Sequence, residues 1–262
     1  MENIRKKNNM PYPVLEFDPA PEAFIEPTKI IKPRDIPDKV IACFFYEVVE
    51  KVARDHHAKL LAKNVWEDGP HPLYEIAYKG QRLAFFQPGI GAPLSASLLE
   101  EVVTFGGHTF LACGGAGVLE QDLTLGHLMV VNSAVRDEGT SYQYLPAARE
   151  VTAQPDMVAA IESALRERNL PFITGKAWTT SAPYRETAAR IARRKAEGCR
   201  MVEMEASAMM AVAEFRRVRF GHILYGGDNL GGEVWDQRGW ERASDVRENL
   251  FWLCADILLS LD

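Results

Sequence analysis

Three carboxylates stand where a predicted helix begins and where the next strand ends. Glu205 opens a helix predicted over residues 204–215, in which apolar residues recur at helical spacing. Asp228 follows two glycines after residues 220–225, an apolar run typical of a short buried strand. A helix of about 12 residues is roughly 18 Å long, and a strand of about six residues spans roughly 20 Å. The strand therefore returns to the edge where the helix began, so Glu205 and Asp228 are predicted to meet at one rim of a sheet. There one carboxylate would hold a polyhydroxylated substrate while the other moves a proton. Glu203 is predicted only to favour the positive end of the helix or to face solvent.

Two glycine-rich segments are predicted to reach the same rim. Residues 87–93 lie between a strand and a helix, and residues 113–117 follow the next strand. Glycine lets a ligand approach the backbone, and exposed amides such as those of Gly91, Gly114 and Gly115 suit anions or hydroxyl groups. Tight turns without a ligand are the alternative. Neither segment has the complete dinucleotide fingerprint or the Gly-Lys-Ser/Thr ending of a P-loop.

Strands and helices alternate along most of the chain. Residues 1–38 differ, because seven of the 15 prolines fall between Pro11 and Pro37. They are predicted to form an extended arm on the body or on a neighbouring subunit, with a flexible tail as the alternative. Residues 39–262 are predicted to form one domain, with a helix over residues 47–63 among its elements. The alternation predicts a three-layer α/β architecture.

The composition is ordinary for a globular protein. The 262 residues are 47% hydrophobic and 25% charged, and the net charge of −6 argues against a nucleic-acid surface as the main function. No apolar run approaches the roughly 20 residues that cross a membrane. The four cysteines are scattered without a C-x-x-C pair, which predicts a cytoplasmic protein with reduced thiols. No histidines have metal-ligand spacing, so no metal site is expected.

Three motifs together resemble those of the nucleoside phosphorylase family. They are GIGAP opening one helix, GGAG after the next strand and VEMEA opening another helix, and the resemblance covers residues 74–230. The family includes uridine phosphorylase, bacterial hexameric purine nucleoside phosphorylase and the methylthioadenosine nucleosidases. The resemblance implies a single three-layer domain around a twisted, partly barrelled mixed sheet flanked by helices. It also implies a homo-oligomer, such as a dimer or a trimer of dimers, and an enzyme without a cofactor that takes inorganic phosphate as co-substrate.

The resemblance assigns roles to three residues. Glu205 matches the glutamate that accepts hydrogen bonds from the ribose hydroxyls, and Met204 matches the methionine beneath the sugar. Asp228 falls where the purine-specific members and the nucleosidases keep an aspartate that protonates or hydrogen-bonds the base at N7. A proton donor at a leaving group is worth about 10²–10⁴ in rate. Trp178 and Tyr184 are further candidates for stacking on the base, with simple packing as the alternative.

The family's phosphate-binding residues are largely missing from this chain. The first strand runs into Phe44 instead of a Gly-Asp-Pro-x-Arg segment, and Ala112 stands where an arginine is usual. The backbone amides of Gly91 and Gly115 remain as candidates for binding phosphate. Arg136 could supply a positive charge there, and a surface ion pair with its acidic neighbours is the alternative.

Three functions therefore stay open. A nucleoside phosphorylase, a glycosyltransferase of the pentosyltransferase type acting in purine salvage, would release the base and ribose 1-phosphate. A purine is favoured because Asp228 is present and the uracil-reading Gln-x-Arg is absent. A hydrolytic nucleosidase would use water in place of phosphate. A nucleoside-binding or scaffold protein on the same fold, without catalysis, is the third possibility.

Overall fold

The computed structural model describes residues 12–240 and 243–261, so the first 11 residues of the predicted arm lie outside the described part. The helices are α1 (Pro27–Ile30), α2 (Tyr46–Asp55), α3 (Ala92–Phe105), α4 (Pro155–Glu167), α5 (Ala188–Ala196), α6 (Ala206–Arg216) and α7 (Ser244–Ser260). The strands are β1 (Lys39–Cys43), β2 (Lys59–Trp66), β3 (Gly69–Tyr78), β4 (Gln81–Phe86), β5 (Thr109–Val118), β6 (Leu128–Asp137), β7 (Glu150–Thr152), β8 (Phe172–Thr180), β9 (Cys199–Glu203) and β10 (Arg219–Asn229).

The strands form one mixed sheet that closes on itself over part of its width. Strands β2, β3, β4 and β1 lead in that order to β5. From β5 the sheet continues through β10, β6, β8 and β9 and returns to β5, which closes a five-stranded barrel. Strand β7 adds to the edge of β6. The predicted single α/β domain with a partly barrelled mixed sheet is confirmed.

Alternate residues of the central strands face two hydrophobic layers. In β1, Val40 and Ala42 face the layer that contains α3 and α6, whereas Ile41 and Cys43 face the layer that contains α2, α4 and α7. This pattern follows from the two-residue repeat of a strand that is covered on both sides. Helices therefore cover both faces of the sheet, and the carboxyl end of β1 is buried between them.

The predicted helix over residues 47–63 is correct in its first half and wrong in its second. Helix α2 ends at Asp55, His57 adopts a left-handed φ of 49°, and the chain re-enters the sheet as β2. Strand β2 pairs antiparallel with β3 along the sheet edge, and Leu60 in it is 50% exposed. Because pairing with β3 stabilises this segment more than burial of an apolar face does, its local pattern did not reveal the strand.

Strand β5 is longer than the sequence pattern predicts. It continues past residue 113 to Val118, so the second glycine segment lies within a strand and not in a loop after it. Strand β10 likewise runs through Asp228 to Asn229. The two strands pair in parallel, with Tyr225 opposite Gly115 and Gly226 opposite Ala116. This pairing brings the glycine segment beside the residues that precede Asp228.

The described part of the arm lies on the body. Glu26 is buried and forms an ion pair of 2.8 Å with Arg216 of α6. Arg34 donates a hydrogen bond of 2.7 Å to the carbonyl oxygen of Leu61. Both contacts connect the described proline-rich residues to regular elements of the domain.

The composition also predicted buried thiols and no membrane span. All four cysteines are buried, and none of them forms a disulfide in the described structure. None of the helices described here combines the length and the apolar character needed to cross a bilayer.

Candidate active site

The glycine segment of β5 has an unpaired edge. Strand β1 pairs with β5 from Thr109 to Cys113, and β9 pairs with it at Gly117 and Val118. Between these two partners, residues 114–116 pair with β10 alone. A gap in a sheet leaves backbone groups and space that a ligand can use. The gap lies where β1 and β9 both end.

A cavity of about 380 Å³ lies against this gap. Its volume is within the roughly 300–1,000 Å³ of small-molecule sites. Gly114 and Gly115 line it from β5, Met204 and Glu205 line it from the β9–α6 junction, and Asp228 lines it from β10. The predicted meeting of Glu205 and Asp228 at one rim therefore agrees with the structure.

Glu205 occupies the N-cap position of α6 and is 7% exposed. Its Oε1 accepts a hydrogen bond of 2.6 Å from the N–H of Gly91, and its Oε2 accepts one of 3.2 Å from the N–H of Met204. Gly91 has a φ of +89°, a conformation that favours glycine. The first glycine segment thus contacts the carboxylate directly and fixes its position in the cavity.

Of the two roles predicted for Glu203, the one at the positive end of the helix agrees with the structure, and the one facing solvent does not. Glu203 is buried at the end of β9, and its Oε2 accepts hydrogen bonds from the N–H groups of Glu205 (2.7 Å) and Ala206 (2.6 Å). Its Oε1 accepts a hydrogen bond of 2.5 Å from the hydroxyl of Thr179. It therefore satisfies the free N–H groups at the start of α6, as a capping side chain does.

Burial raises the pKa of both glutamates above the ordinary carboxyl range. For Glu203, hydrogen bonds from Thr179 and two backbone N–H groups offset part of the rise. For Glu205, burial is the largest cause and the nearby Glu203 carboxyl is the second. Two neighbouring carboxylates in a buried site cannot both ionise freely. The ionised form of each carboxyl is therefore less favourable here than at an exposed position.

Asp228 lies on the other side of the cavity. Its Oδ2 accepts a hydrogen bond of 2.6 Å from the indole N–H of Trp235. A Cβ at Gly117 would lie 3.3 Å from Asp228 Oδ1 and 2.4 Å from Leu230 Cδ1. Glycine at position 117 thus allows the end of β10 to pack closely on β5, and the indole fixes the direction of the carboxylate.

A second carboxylate, Glu186, lines the cavity beside Asp228. It follows the short 3-10 helix Pro183–Arg185 after β8 and is half-buried. Burial and the negative charge of Asp228 raise the pKa of Glu186 to about 7, and Arg190 opposes this rise. Glu186 is not among the site residues predicted from the sequence. The available signal was an acidic side chain a few residues after a strand predicted to end near the site.

The cavity wall near the end of β1 is apolar and aromatic. The Phe44 ring stacks on His222 of β10, with 6.0 Å between ring centroids. His222 is 1% exposed, and neither ring nitrogen has a hydrogen-bond partner in the described structure. Burial lowers the pKa of His222 to about 3, so its imidazole is neutral at physiological pH.

Of the described residues, Arg247 of α7 is the one arginine that lines the cavity. Its guanidinium donates hydrogen bonds to the Tyr225 hydroxyl (3.1 Å) and to a Glu47 carboxylate oxygen (2.5 Å). It also lies 5.4 Å from the centroid of the Phe45 ring. The cavity is therefore lined by several carboxylates and by one guanidinium, which is paired with Glu47.

Comparison with known proteins identifies the family of this chain. The model of a family described as the phosphorylase superfamily matches residues 40–251 of the chain. The chain belongs to the phosphorylase superfamily.

Individual members of the superfamily share only a limited fraction of their sequence with this chain. The guanosine phosphorylase of Halorubrum lacusprofundi is 29% identical over 171 residues, which cover 63% of this chain and 69% of that protein. The structure of uridine phosphorylase from Vibrio fischeri ES114 matches with a TM-score of 0.73 at 22% identity, covering 88% of this chain and 95% of that one. AMP nucleosidase from Bacteroides thetaiotaomicron matches with a TM-score of 0.69 at 19% identity, covering 86% and 88%. At these identities, the two structures show a shared fold.

Trp178 does not line the cavity of this superfamily member, which corrects the prediction that it stacks on a base. It is fully buried, and its indole N–H donates a hydrogen bond of 2.9 Å to Asp137 Oδ2. Arg190 and Arg194 lie over its ring at 5.6 and 5.5 Å from the centroid. Trp178 therefore holds α5 on the sheet, which is the packing alternative.

Arg136 is also absent from the lining of the cavity, which corrects its prediction as a phosphate ligand. Its guanidinium donates hydrogen bonds to the Ser141 hydroxyl (2.9 Å) and to the carbonyl oxygens of Pro146 (2.7 Å) and Leu145 (3.1 Å). The alternative of a surface ion pair is wrong too, because Arg136 is buried. Through these hydrogen bonds Arg136 stabilises the conformation of the segment that follows β6.

Tyr184 and Gly91 also differ from their predicted roles. Tyr184 is 99% exposed and lines an outer cavity with Trp235, beyond Asp228. The Gly91 N–H is directed at Glu205 and is thus occupied. Gly115 keeps its place on the cavity wall.

Proposed function

We propose that this protein cleaves the N-glycosidic bond of a purine nucleoside by phosphorolysis, giving a free base and ribose 1-phosphate. The observation that carries the proposal is that Glu205 and Asp228, which come from different elements, line one cavity beside the unpaired edge of β5. The names of phosphorylase relatives, including the guanosine phosphorylase, support the reaction class. The enzyme would accordingly be a glycosyltransferase of the pentosyltransferase type, with phosphate as its co-substrate.

The reaction places charge where the cavity has suitable groups. A phosphate oxygen attacks C1′ of the ribose, the bond between C1′ and the base nitrogen breaks, and its electron pair passes to the base. The Asp228 carboxyl gives a proton to N7 and so lowers the energy of the departing base. The Glu205 carboxylate accepts hydrogen bonds from the ribose hydroxyls, and Met204 supports the sugar. These contacts hold C1′ in line with the nucleophile.

Phosphate needs a positive charge that the predicted residues do not supply. Arg247 lines the cavity and is fixed by Tyr225 and Glu47, so it is the group that this proposal assigns to phosphate. A guanidinium held in place stabilises a dianion without reorganising during the reaction. The backbone at Gly115, on the unpaired edge of β5, completes the proposed anion site.

Hydrolysis by water is the second candidate, and the end of β1 favours it. Phe44 and a neutral His222 occupy this wall, where a cationic lining would be expected for phosphate. An apolar wall disfavours a dianion because the anion loses hydration there. In that case the cavity would take a water molecule beside the sugar.

Phosphate dependence separates the two reactions. With a purine nucleoside and purified protein, we expect release of the base to require added phosphate, with ribose 1-phosphate as the sugar product. The sugar product is identified by ³¹P and ¹H NMR. The Arg247→Lys variant should raise the KM for phosphate about tenfold with a smaller change in the KM for nucleoside, because lysine lacks the guanidinium fork.

Cleavage at the same rate in phosphate-free buffer, with free ribose as the product, would replace phosphorolysis by hydrolysis. Binding of a purine nucleoside without turnover in either buffer would leave a nucleoside-binding protein. Asp122→Asn is the matched control for the variant series, because Asp122 is exposed and has no hydrogen bond in the described structure. It should behave as the wild type.

The Glu203–Glu205 pair predicts a pH dependence. Because the Glu203 carboxyl raises the pKa of Glu205, Glu203→Gln should let Glu205 ionise at lower pH while the amide oxygen still accepts the backbone hydrogen bonds. The acidic limb of the kcat/KM profile should move down by on the order of one pH unit. Glu67→Gln, at an exposed turn, should leave the profile unchanged. An unshifted limb in Glu203→Gln would mean that Glu205 ionisation does not control this limb.

A further inference from the structure

Thr179, near the end of β8, connects the first turn of α6 to Glu203 through one hydroxyl group. The residue is fully buried, and its Oγ1 accepts a hydrogen bond of 3.0 Å from the N–H of Ser207. The same hydroxyl donates a hydrogen bond of 2.5 Å to Glu203 Oε1. A backbone N–H can only donate, whereas a hydroxyl has one proton to donate and two lone pairs that accept. The hydroxyl proton of Thr179 is therefore directed at Glu203.

The hydrogen bonds that Glu203 accepts in the described structure favour its ionised form. Oε1 accepts from the Thr179 hydroxyl, and Oε2 accepts from the N–H groups of Glu205 and Ala206. If Oε1 carried a proton, the Thr179 hydroxyl would have to turn its own proton away from Glu203. Its other partner among the described residues, the Ser207 N–H, is a donor, so that proton would lie buried and unpaired. Such an arrangement is unfavourable.

Glu205 accepts fewer hydrogen bonds than Glu203 does. The N–H groups of Gly91 and Met204 donate to it, the second across 3.2 Å. Glu205 also lines the cavity, where a ligand can exchange hydrogen bonds with its carboxyl group. Hydrogen bonds to the charged form of a carboxyl group favour that form. A proton shared by the two neighbouring groups is therefore more favourable on Glu205.

The charge of Glu138, from the segment after β6, acts in the opposite direction. It raises the pKa of Glu203, after the larger effect of burial. The Glu138 carboxylate is held in place by the hydroxyl of Ser207, at 2.9 Å. The other charged side chains that face the pair lie across the cavity and are Glu47, Glu186, Asp228 and Arg247. The donors to Glu203 must outweigh the repulsion from Glu138, and the Thr179 hydroxyl is the donor that a substitution can remove.

We propose that Thr179 is a positioning residue that keeps Glu203 ionised and thereby makes Glu205 the carboxyl group of the pair that holds the proton in the free enzyme. Glu205 then gives up this proton when it accepts hydrogen bonds from the ribose hydroxyls. The inference rests on the proposed function, because it takes Glu205 as the ribose ligand. Thr179 does not line the cavity and acts through Glu203.

The test is the pH dependence of kcat/KM in Thr179→Val, which keeps the shape of the side chain and removes the hydroxyl. In this variant a protonated Glu203 leaves no hydroxyl proton unpaired, so the shared proton moves toward Glu203 and Glu205 ionises at lower pH. We expect the acidic limb to move down by about 0.5–1 pH unit. Thr179→Ser should restore the wild-type limb, because serine has the same hydroxyl.

Thr180→Val is the matched control. Thr180 is also fully buried in β8, and its hydroxyl accepts a hydrogen bond from the N–H of Ala182 and has no contact with Glu203. It should leave the limb unchanged. In a Glu203→Gln background, Thr179→Val should shift the limb no further, because the carboxyl group through which it acts is absent.

A limb that stays at the wild-type position in a folded Thr179→Val variant would overturn the inference. A lower plateau or a lower Tm without a moved limb would then show that the hydroxyl has a structural role alone. A further shift in the double variant would also overturn it, because Thr179 would then act by a route other than Glu203.

A binding measurement separates this inference from the proposed function. Calorimetric titration with inosine in phosphate-free buffer, repeated across the pH range, should show weaker binding below the same limb and the same shift in Thr179→Val. Shifted binding without nucleoside cleavage, in the presence or absence of phosphate, would support the role of Thr179 and refute the proposed function. Cleavage of inosine with an unmoved limb in both measurements would refute the role of Thr179 alone.

Discussion

Asp228→Asn is expected to lower kcat for purine nucleosides by about 10²–10⁴-fold while KM changes only a few-fold. The substitution keeps the shape of the side chain, and the indole of Trp235 can still donate to the amide oxygen in place of Oδ2. The amide can hydrogen-bond to N7 of a bound base but cannot give up a proton to it. Steady-state kinetics with inosine or guanosine measure the loss.

A substrate with a positively charged base gives this prediction its control. In 7-methylguanosine, N7 already carries a methyl group and a positive charge, so the base can leave without being protonated. We expect Asp228→Asn to cleave 7-methylguanosine within about tenfold of the wild-type rate, well above its residual rate on guanosine. An equal loss with both substrates would show that Asp228 acts in some other way than by proton transfer. A variant that turns over guanosine at the wild-type rate would remove Asp228 from the chemistry.

The local sequence pattern was sufficient to predict that Glu205 and Asp228 lie at the same rim of the sheet. The lengths of a helix and of the returning strand are set by backbone geometry, so the two ends of α6 and β10 could be related without knowing the rest of the sheet. The same local reasoning identified the alternation of strands and helices and hence the layered architecture.

The barrel closure could not be obtained in this way, and the missed parts of the site depend on it. Glu186 approaches Asp228 because β9 pairs with both β8 and β5, and β5 pairs with β10, a relation between segments that are far apart in sequence. The same closure determines which side of β8 faces the interior and places Trp178 against α5, away from the cavity. An aromatic residue near a strand end thus gave no information about its direction.

The burial of Glu203 and Glu205 could not be predicted from the sequence either. A carboxylate at the start of a helix is most often stabilised by the helix dipole at the surface. Here both carboxylates are buried, and burial becomes the larger effect on the pKa of both groups. Burial of two carboxylates lowers the stability of the folded state. Such unfavourable burial is characteristic of a functional site, where groups are positioned for a ligand.

The Glu205→Gln variant tests both the role of this carboxylate in ribose binding and the effect of its burial on stability. We expect kcat/KM for a ribonucleoside to fall by about 10²–10³-fold, because two ribose hydroxyls lose a charged acceptor and hydrogen bonds to charged groups are worth about 1.5–3 kcal/mol each. A 2′,3′-dideoxynucleoside offers neither hydroxyl, so the wild type should prefer the ribonucleoside strongly and the variant should have little preference. The ratio of the two kcat/KM values measures this directly, and an unchanged ratio would remove Glu205 from the ribose site.

Stability should change in the opposite direction in the same variant. Burial and Glu203 raise the native pKa of Glu205, so the native state binds more protons than the unfolded chain, and this contribution to stability is lost as pH rises above the ordinary carboxyl range. The amide of Glu205→Gln has no proton to lose and can still accept from Gly91, so Tm at pH 8 should equal or exceed that of the wild type, with a smaller decline between pH 5 and pH 8. Thermal unfolding across this pH range tests the expectation. A Tm at pH 8 well below that of the wild type would mean that the ionised carboxylate stabilises the fold, and the activity loss would then no longer report on the ribose alone.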